Sequence, residues 1–143
     1  MSTVRQDRPE ISTKKPRLVL ADDYEDLLVE IGSLLAHDFD VVALARDGVE
    51  LLSAVRKLKP DVVVTDITMP RLSGIEASRE ILREQHCDAI VLLTVHNEKE
   101  LVGKALRAGI LGYVLKVNAG VELIPAIFAV LGGESFVSES VNL

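Results

Sequence analysis

Short runs of β-branched and aliphatic residues alternate with segments of helical period along almost the whole chain, and few folds absorb that pattern. Residues 18–21 (Leu-Val-Leu-Ala) read as a first strand that ends abruptly in Asp22-Asp23. From residue 24 to 36, Leu27, Leu28, Ile31, Leu34 and Leu35 recur at helical spacing and predict one buried stripe. Residues 41–45 read as a second strand. A helix over about 49–59 then buries Val49, Leu52, Val55 and Leu58, and Pro60 stops it. Residues 61–66 read as a third strand, β-branched from Val62 through Thr65 and ending in Asp66, and a Met-Pro loop leads to a helix opened by Gly74 with Ile75, Ile81 and Leu82 inside. A fourth strand over 90–93 ends at Thr94. Leu101, Val102, Ala105 and Leu106 mark a fourth helix, with Gly109 suited to a left-handed C-terminal cap. A fifth strand over 112–115 ends at Lys116, and a last helix over about 121–131 ends at Gly132-Gly133.

Strands that alternate with helices pair in parallel, because each crossover must return the chain to the same end of the sheet. Continuous apolar runs, in place of strict alternation, predict strands covered on both faces. The expected fold class is therefore α/β, a doubly wound, five-stranded parallel sheet with five helices. With three Phe, two Tyr and no Trp among 143 residues, the core must be built from Val, Leu, Ile and Ala.

The domain boundaries follow from composition. Residues 1–16 carry alternating charge and little hydrophobicity and are expected to form a disordered leader. Residues 17–133 hold the domain, and 134–143 begin a linker or tail. A net charge of −6 argues against direct nucleic-acid binding by this segment, since phosphate contacts need clustered Lys and Arg. No stretch approaches the roughly 20 apolar residues of a membrane span, and none resembles an export signal. The single cysteine, Cys87, excludes an intrachain disulfide framework and fits a reducing, cytoplasmic setting.

In doubly wound sheets, ligands bind beyond the carboxyl ends of the strands. At those ends stand Asp22 and Asp23, Asp66, Thr94 and Lys116. Taken singly, a lone Asp after a strand is commonly a cap, Lys116 a solvated lysine and Thr94 an ordinary strand-end residue. Taken jointly, five polar residues at one end of buried strands point to chemistry. Carboxylates brought so close repel one another unless a cation joins them, and an all-oxygen ligand set selects Mg²⁺ over Zn²⁺. A carboxylate beside such an ion, a Lys and a Thr hydroxyl forms a phosphoryl-transfer set, with Asp as nucleophile.

These residues resemble the receiver domains of two-component response regulators, the CheY-like superfamily, over about residues 17–137. The resemblance rests on Asp22-Asp23, on Asp66-Ile67-Thr68-Met69-Pro70 with Gly74 following, and on Thr94, Tyr113 and Lys116 in order. It implies a strand order of 2-1-3-4-5 and Asp66 as the phosphoacceptor. It implies Mg²⁺ (or Mn²⁺) held by Asp23, Asp66 and the Thr68 backbone carbonyl, with Asp22 acting through a water. Thr94 and Lys116 would hold phosphoryl oxygens and Tyr113 would be an aromatic switch, with a packed strand tyrosine as the competing reading. Thr68 and His96 would tune hydrolysis of the phosphoaspartate. His96 as a metal ligand is improbable and reads as a solvated loop histidine.

The segment from Ala108-Gly109 to Lys116 and the Gly132-Gly133-Glu134-Ser135-Phe136 run look like NarL/LuxR-type regulators. That implies a sensor histidine kinase as partner and a transcriptional output through a C-terminal helix-turn-helix domain absent from this chain, with a stand-alone regulator as the alternative. Such a domain is no enzyme beyond its own phosphorylation and dephosphorylation. A haloacid-dehalogenase-like phosphatase would carry its nucleophile in Asp-x-Asp after the first strand, where this chain has Asp22-Asp23-Tyr24. A flavodoxin-like carrier needs a phosphate loop there, which two aspartates would repel.

Val117 stands where the subfamily usually has Asp, and Ala119-Gly120 replaces Ser-Pro, leaving the last helix without a strong N-cap. Pro125 predicts a late helix start or a kink. Ile124, Ile127 and Leu131 form that helix's expected core stripe, and Phe128 lies off it, suggesting a homodimer contact through the last helix region or an intramolecular dock for an effector domain.

Overall fold

The computed structural model describes residues 14–141. The expected disordered leader lies almost wholly outside them. Six strands, β1 (Arg17–Ala21), β2 (Asp40–Ala45), β3 (Val62–Thr65), β4 (Ile90–Thr94), β5 (Gly112–Leu115) and β6 (Phe136–Val137), form one parallel sheet in the order β2-β1-β3-β4-β5-β6. Five helices cross between them: α1 (Glu25–Leu35), α2 (Gly48–Leu58), α3 (Gly74–Glu84), α4 (Lys99–Arg107) and α5 (Ala119–Leu131). The α/β class and the order 2-1-3-4-5 hold as expected, with a short sixth strand added at the β5 edge.

Period-two side-chain alternation splits the interior into two layers. Val19, Ala21, Val63, Ile90, Leu92, Tyr113 and Leu115 face a core shared with α2, α3 and α4. Leu18, Leu20, Val62, Val64, Val91, Leu93 and Val114 face α1 and α5. Every residue of β3, β4 and β5 is buried, which is why these strands read as unbroken apolar runs.

Several local expectations are corrected. Val49 and Leu34 are exposed, and Leu51 is the buried residue of α2 in place of Val49, because α2 starts at Gly48 and its stripe turns by one position. Leu106 also faces solvent. In α5 the deep residues are Leu123, Ala126, Ile127 and Val130, with Ile124 and Leu131 only partly buried. The late start does not occur. A 3-10 turn at Lys116–Asn118 runs straight into α5 at Ala119, leaving Pro125 in the second turn. Pro125 cannot donate to the carbonyl of Val121, a residue on the solvent side, where water can replace the lost bond.

The ordered chain also continues past the boundary expected at residue 133. Phe136 and Val137 pair with Gly112 and Tyr113, the Ser138 N–H donates to the Tyr113 carbonyl at 2.9 Å, and Val141 is buried. No helix among the described residues is long and apolar enough to cross a membrane. Cys87 is buried with its thiol pushed up to about 11, chiefly by burial, and stays an inert core residue.

Candidate functional site

The carboxyl ends of the strands set the site. β1 hands over to Asp22 and Asp23, β3 to Asp66, β4 ends in Thr94 and β5 hands over to Lys116. Asp22, Asp23 and Asp66 each place a carboxylate oxygen within 4.8 Å of the others. Asp22 and Asp66 are buried and Asp23 is exposed, so the cluster opens to solvent on one side. Lys116 Nζ lies 2.8 Å from Asp22 Oδ2 and 3.1 Å from Asp66 Oδ2, bridging two of the three. The remaining Asp22 oxygen accepts the Tyr24 N–H at 2.9 Å.

One ammonium against three carboxylates leaves the pocket negative. Burial raises the Asp66 carboxyl above its ordinary range, and the Lys116 charge only partly offsets it. Burial works against the Lys116 ammonium too, but its hydrogen bond to Asp22 and the field of Asp66 outweigh that, so it stays firmly charged. The donor set is entirely hard oxygen, with room for charge on the exposed Asp23 side. That composition fits a small divalent cation of the Mg²⁺ kind.

The loop from β3 to α3 is built tightly. The Ile67 N–H donates to Asp66 Oδ1 at 2.7 Å and fixes the carboxylate, and the Gly74 N–H donates to the Ile67 carbonyl at 2.7 Å. A Cβ at position 74 would lie 1.8 Å from the Asp66 carbonyl oxygen, so this contact admits only glycine. Ser73 and Glu76 close a reciprocal capping box at the start of α3. Thr68, between these anchors, is exposed toward the mouth of the site.

His96 is the point where expectation and structure differ. Instead of projecting freely into solvent, its ring Nε2 lies 3.0 Å from Thr68 Oγ1. Its backbone N–H donates to Thr94 Oγ1 at 3.2 Å, and its carbonyl accepts the Tyr113 hydroxyl at 2.7 Å. His96 thus touches three of the residues singled out from the sequence. Tyr113 is both a packed strand tyrosine, its ring wholly buried, and a contact to the mouth through its hydroxyl. Burial, with Glu98 and Asp66 adding to it, pushes that hydroxyl up to about 12, so it remains a neutral donor.

Sequence reasoning missed two groups. Arg71, at φ 71°, directs its guanidinium onto Asp47, the N-cap of α2. Asp47 followed by Glu50 carries a capping signal that could have flagged it, whereas nothing in the pattern marks Arg71. Ser138, beyond the expected domain end, accepts the Leu115 N–H at 3.0 Å and donates to Glu122.

Comparison with known proteins agrees with this geometry. Residues 18–128 match the response regulator receiver domain family. The chain is 39% identical over 124 residues to the uncharacterized transcriptional regulatory protein YxjL of Bacillus subtilis strain 168, covering 85% of this chain and 56% of that protein. Among solved structures, a LuxR-family two-component response regulator from Aurantimonas sp. SI85-9A1 superposes with a TM-score of 0.83 at 33% identity, over 90% of this chain and 93% of that one. The isolated REC domain of RcsB from Salmonella enterica serovar Typhimurium, solved in the presence of phosphomimetic BeF3⁻, gives 0.80 at 30% identity, over 90% and 96%. The chain spans only somewhat more than half the length of the curated relatives it matches.

Proposed function

The chain belongs to the response regulator receiver domain family, of NarL/LuxR type, and from that premise we propose that Asp66 accepts a phosphoryl group from a phosphohistidine on a sensor kinase. In this reaction a carboxylate oxygen of Asp66 forms the new O–P bond as the P–N bond breaks, and the imidazole nitrogen keeps the electron pair and takes up a proton. Asp23, Asp66 and the Thr68 carbonyl would hold Mg²⁺ or Mn²⁺, with Asp22 reaching it through water; the ion supplies charge neutralisation for the transferring group.

Lys116 then holds a phosphoryl oxygen in place of part of its present contact with Asp66. Thr94 rotates its hydroxyl from accepting the His96 N–H to donating toward the phosphoryl group, a contact that exists only after transfer and so biases the equilibrium between two states. Tyr113 and His96, joined through hydroxyl and carbonyl, carry that bias into the β4–α4 loop, and Thr68 and His96 set the lifetime of the acyl phosphate. The observation that carries this reading is the convergence of three strand-end carboxylates within 4.8 Å, two of them bridged by one lysine.

The output is transcriptional control through a helix-turn-helix domain outside this chain, and receiver pairing occurs in the last helix region. Phe128 supports the pairing: it remains half-exposed on α5 even though its ring packs at a tilt on Phe39, 5.1 Å between centroids. Sedimentation with and without phosphorylation tests it, and a monomer in both states removes it. The chemistry is tested by incubating the protein with a small acyl-phosphate donor and Mg²⁺ and weighing it. Wild type gains about 80 Da, one phosphoryl group, and Asp66→Asn gains nothing; an inert wild type overturns the proposal.

A further inference from the structure

Arg71 is one of three non-glycine residues with positive φ among those described, and the other two, Lys59 and Gln85, are C-caps of helices. Arg71 terminates no helix. It lies in the loop that carries Thr68, in a conformation an L-residue holds only where its surroundings impose it. Those surroundings are identifiable. Arg71 Nε and Nη2 reach Asp47 Oδ2 at 3.0 and 2.9 Å. Asp47 is itself nearly buried, and its Oδ1 accepts the Glu50 N–H at 2.8 Å as the N-cap of α2. The next residues meet in the same way: a Cβ at Gly48 would lie 2.0 Å from the Leu72 carbonyl oxygen, so the first turn of α2 rests on the loop backbone.

The loop is therefore anchored twice, by Gly74 against Asp66 and Ile67, and by Asp47-Gly48 against Arg71-Leu72, and Thr68 is suspended between the two anchors. We propose that the Asp47–Arg71 pair is a positioning element for cation binding: it holds the Thr68 carbonyl at the mouth without touching the ion or the reacting atoms. This inference rests on the reading of Asp23, Asp66 and Thr68 as the cation site. Half of the Arg71 side chain is exposed, so the pair contributes little to global stability. Its effect lies in the geometry of one backbone oxygen.

The test uses Mn²⁺ affinity, read by electron paramagnetic resonance of the free ion, and thermal unfolding without metal. Asp47→Ser keeps a capping oxygen but is too short for the guanidinium, and Arg71→Gly deletes the guanidinium while relieving the left-handed backbone. Each variant is expected to bind Mn²⁺ several-fold more weakly, less than the roughly 10–100-fold typical of groups bonded directly to a ligand, with an unfolding midpoint close to wild type. The double variant is expected to lose no more than the weaker single, since both break one contact. Unchanged affinity in either single variant, or losses that multiply in the double, overturns the inference while leaving the cation site standing. A wild type that binds no Mn²⁺ overturns both.

Discussion

The two loops that form the mouth are built on opposite plans. The β3–α3 loop is fixed by a glycine contact, a capping box and an ion pair, and α3 behind it buries Gly74, Ile75, Ala77, Ser78 and Ile81. The β4–α4 loop leads into a helix with no side-chain cap and only Val102 and Ala105 buried. Its Val95 is exposed, and its ties to the site run through one residue, His96. The half that carries Asp66, the proposed phosphoacceptor, is thus preorganised, as a site for cation and phosphoryl group requires. The half proposed to answer to phosphorylation is held by a few exchangeable hydrogen bonds, as a two-state element requires.

The largest effect that could break this comparison is steric. Gly74→Val should destabilise by about 3 kcal/mol, because the new side chain has no space beside the Asp66 carbonyl, whereas Val95→Ala across the mouth should stay within about 0.5 kcal/mol. Urea unfolding of both measures the contrast, and similar costs would erase it.

The next effect is electrostatic. Asp66 has a folded pKa raised above its unfolded value by burial. Such a carboxylate is a full penalty to the fold above the raised pKa, and the penalty fades as pH falls through that pKa to the unfolded one. Asp66→Asn should therefore unfold at a higher temperature than wild type near pH 7 without metal. The gap should close as pH falls toward the ordinary Asp range of about 4, and adding Mg²⁺ to wild type should narrow it at pH 7. A gap that widens toward acid contradicts the sign.

Tyr113→Phe probes the adaptable half alone. Loss of one buried hydroxyl contact to the His96 carbonyl should cost about 1 kcal/mol, and amide exchange should quicken in residues 95–98 while 67–74 stay unchanged. Thr68→Val is the finest test. It removes an exposed hydroxyl, so stability should change by under about 0.5 kcal/mol, yet the phosphorylated protein should hydrolyse at an altered rate once the tie to His96 is gone.

The fold was legible because its inner strands are buried on both faces, and burial on both faces writes itself into sequence as unbroken Val-Ile-Leu runs. The strand-end residues were legible for a related reason: Asp22, Thr94 and Lys116 are the first polar residues after those runs, and Asp66 is the first charged one. The rotation of individual helices was not, since Val49 against Leu51 and Ile124 against Leu123 depend on where the first turn begins. Arg71 escaped because positive φ in a non-glycine residue leaves no compositional trace. His96 was named beside Thr68, but its backbone ties to Thr94 and Tyr113 escaped because any residue type supplies them. The sixth strand escaped because a two-residue edge has no periodicity to detect.

That sixth strand has a mechanical consequence. Because β6 runs parallel to β5, the polypeptide turns back through Gly132-Gly133 and travels toward the same rim of the sheet as Lys116. Ser138 seizes the Leu115 N–H, and Leu115 is covalently joined to Lys116. A tug on the lysine is therefore one peptide bond and one hydrogen bond away from Ser138, which the Tyr113 carbonyl pins through its own N–H.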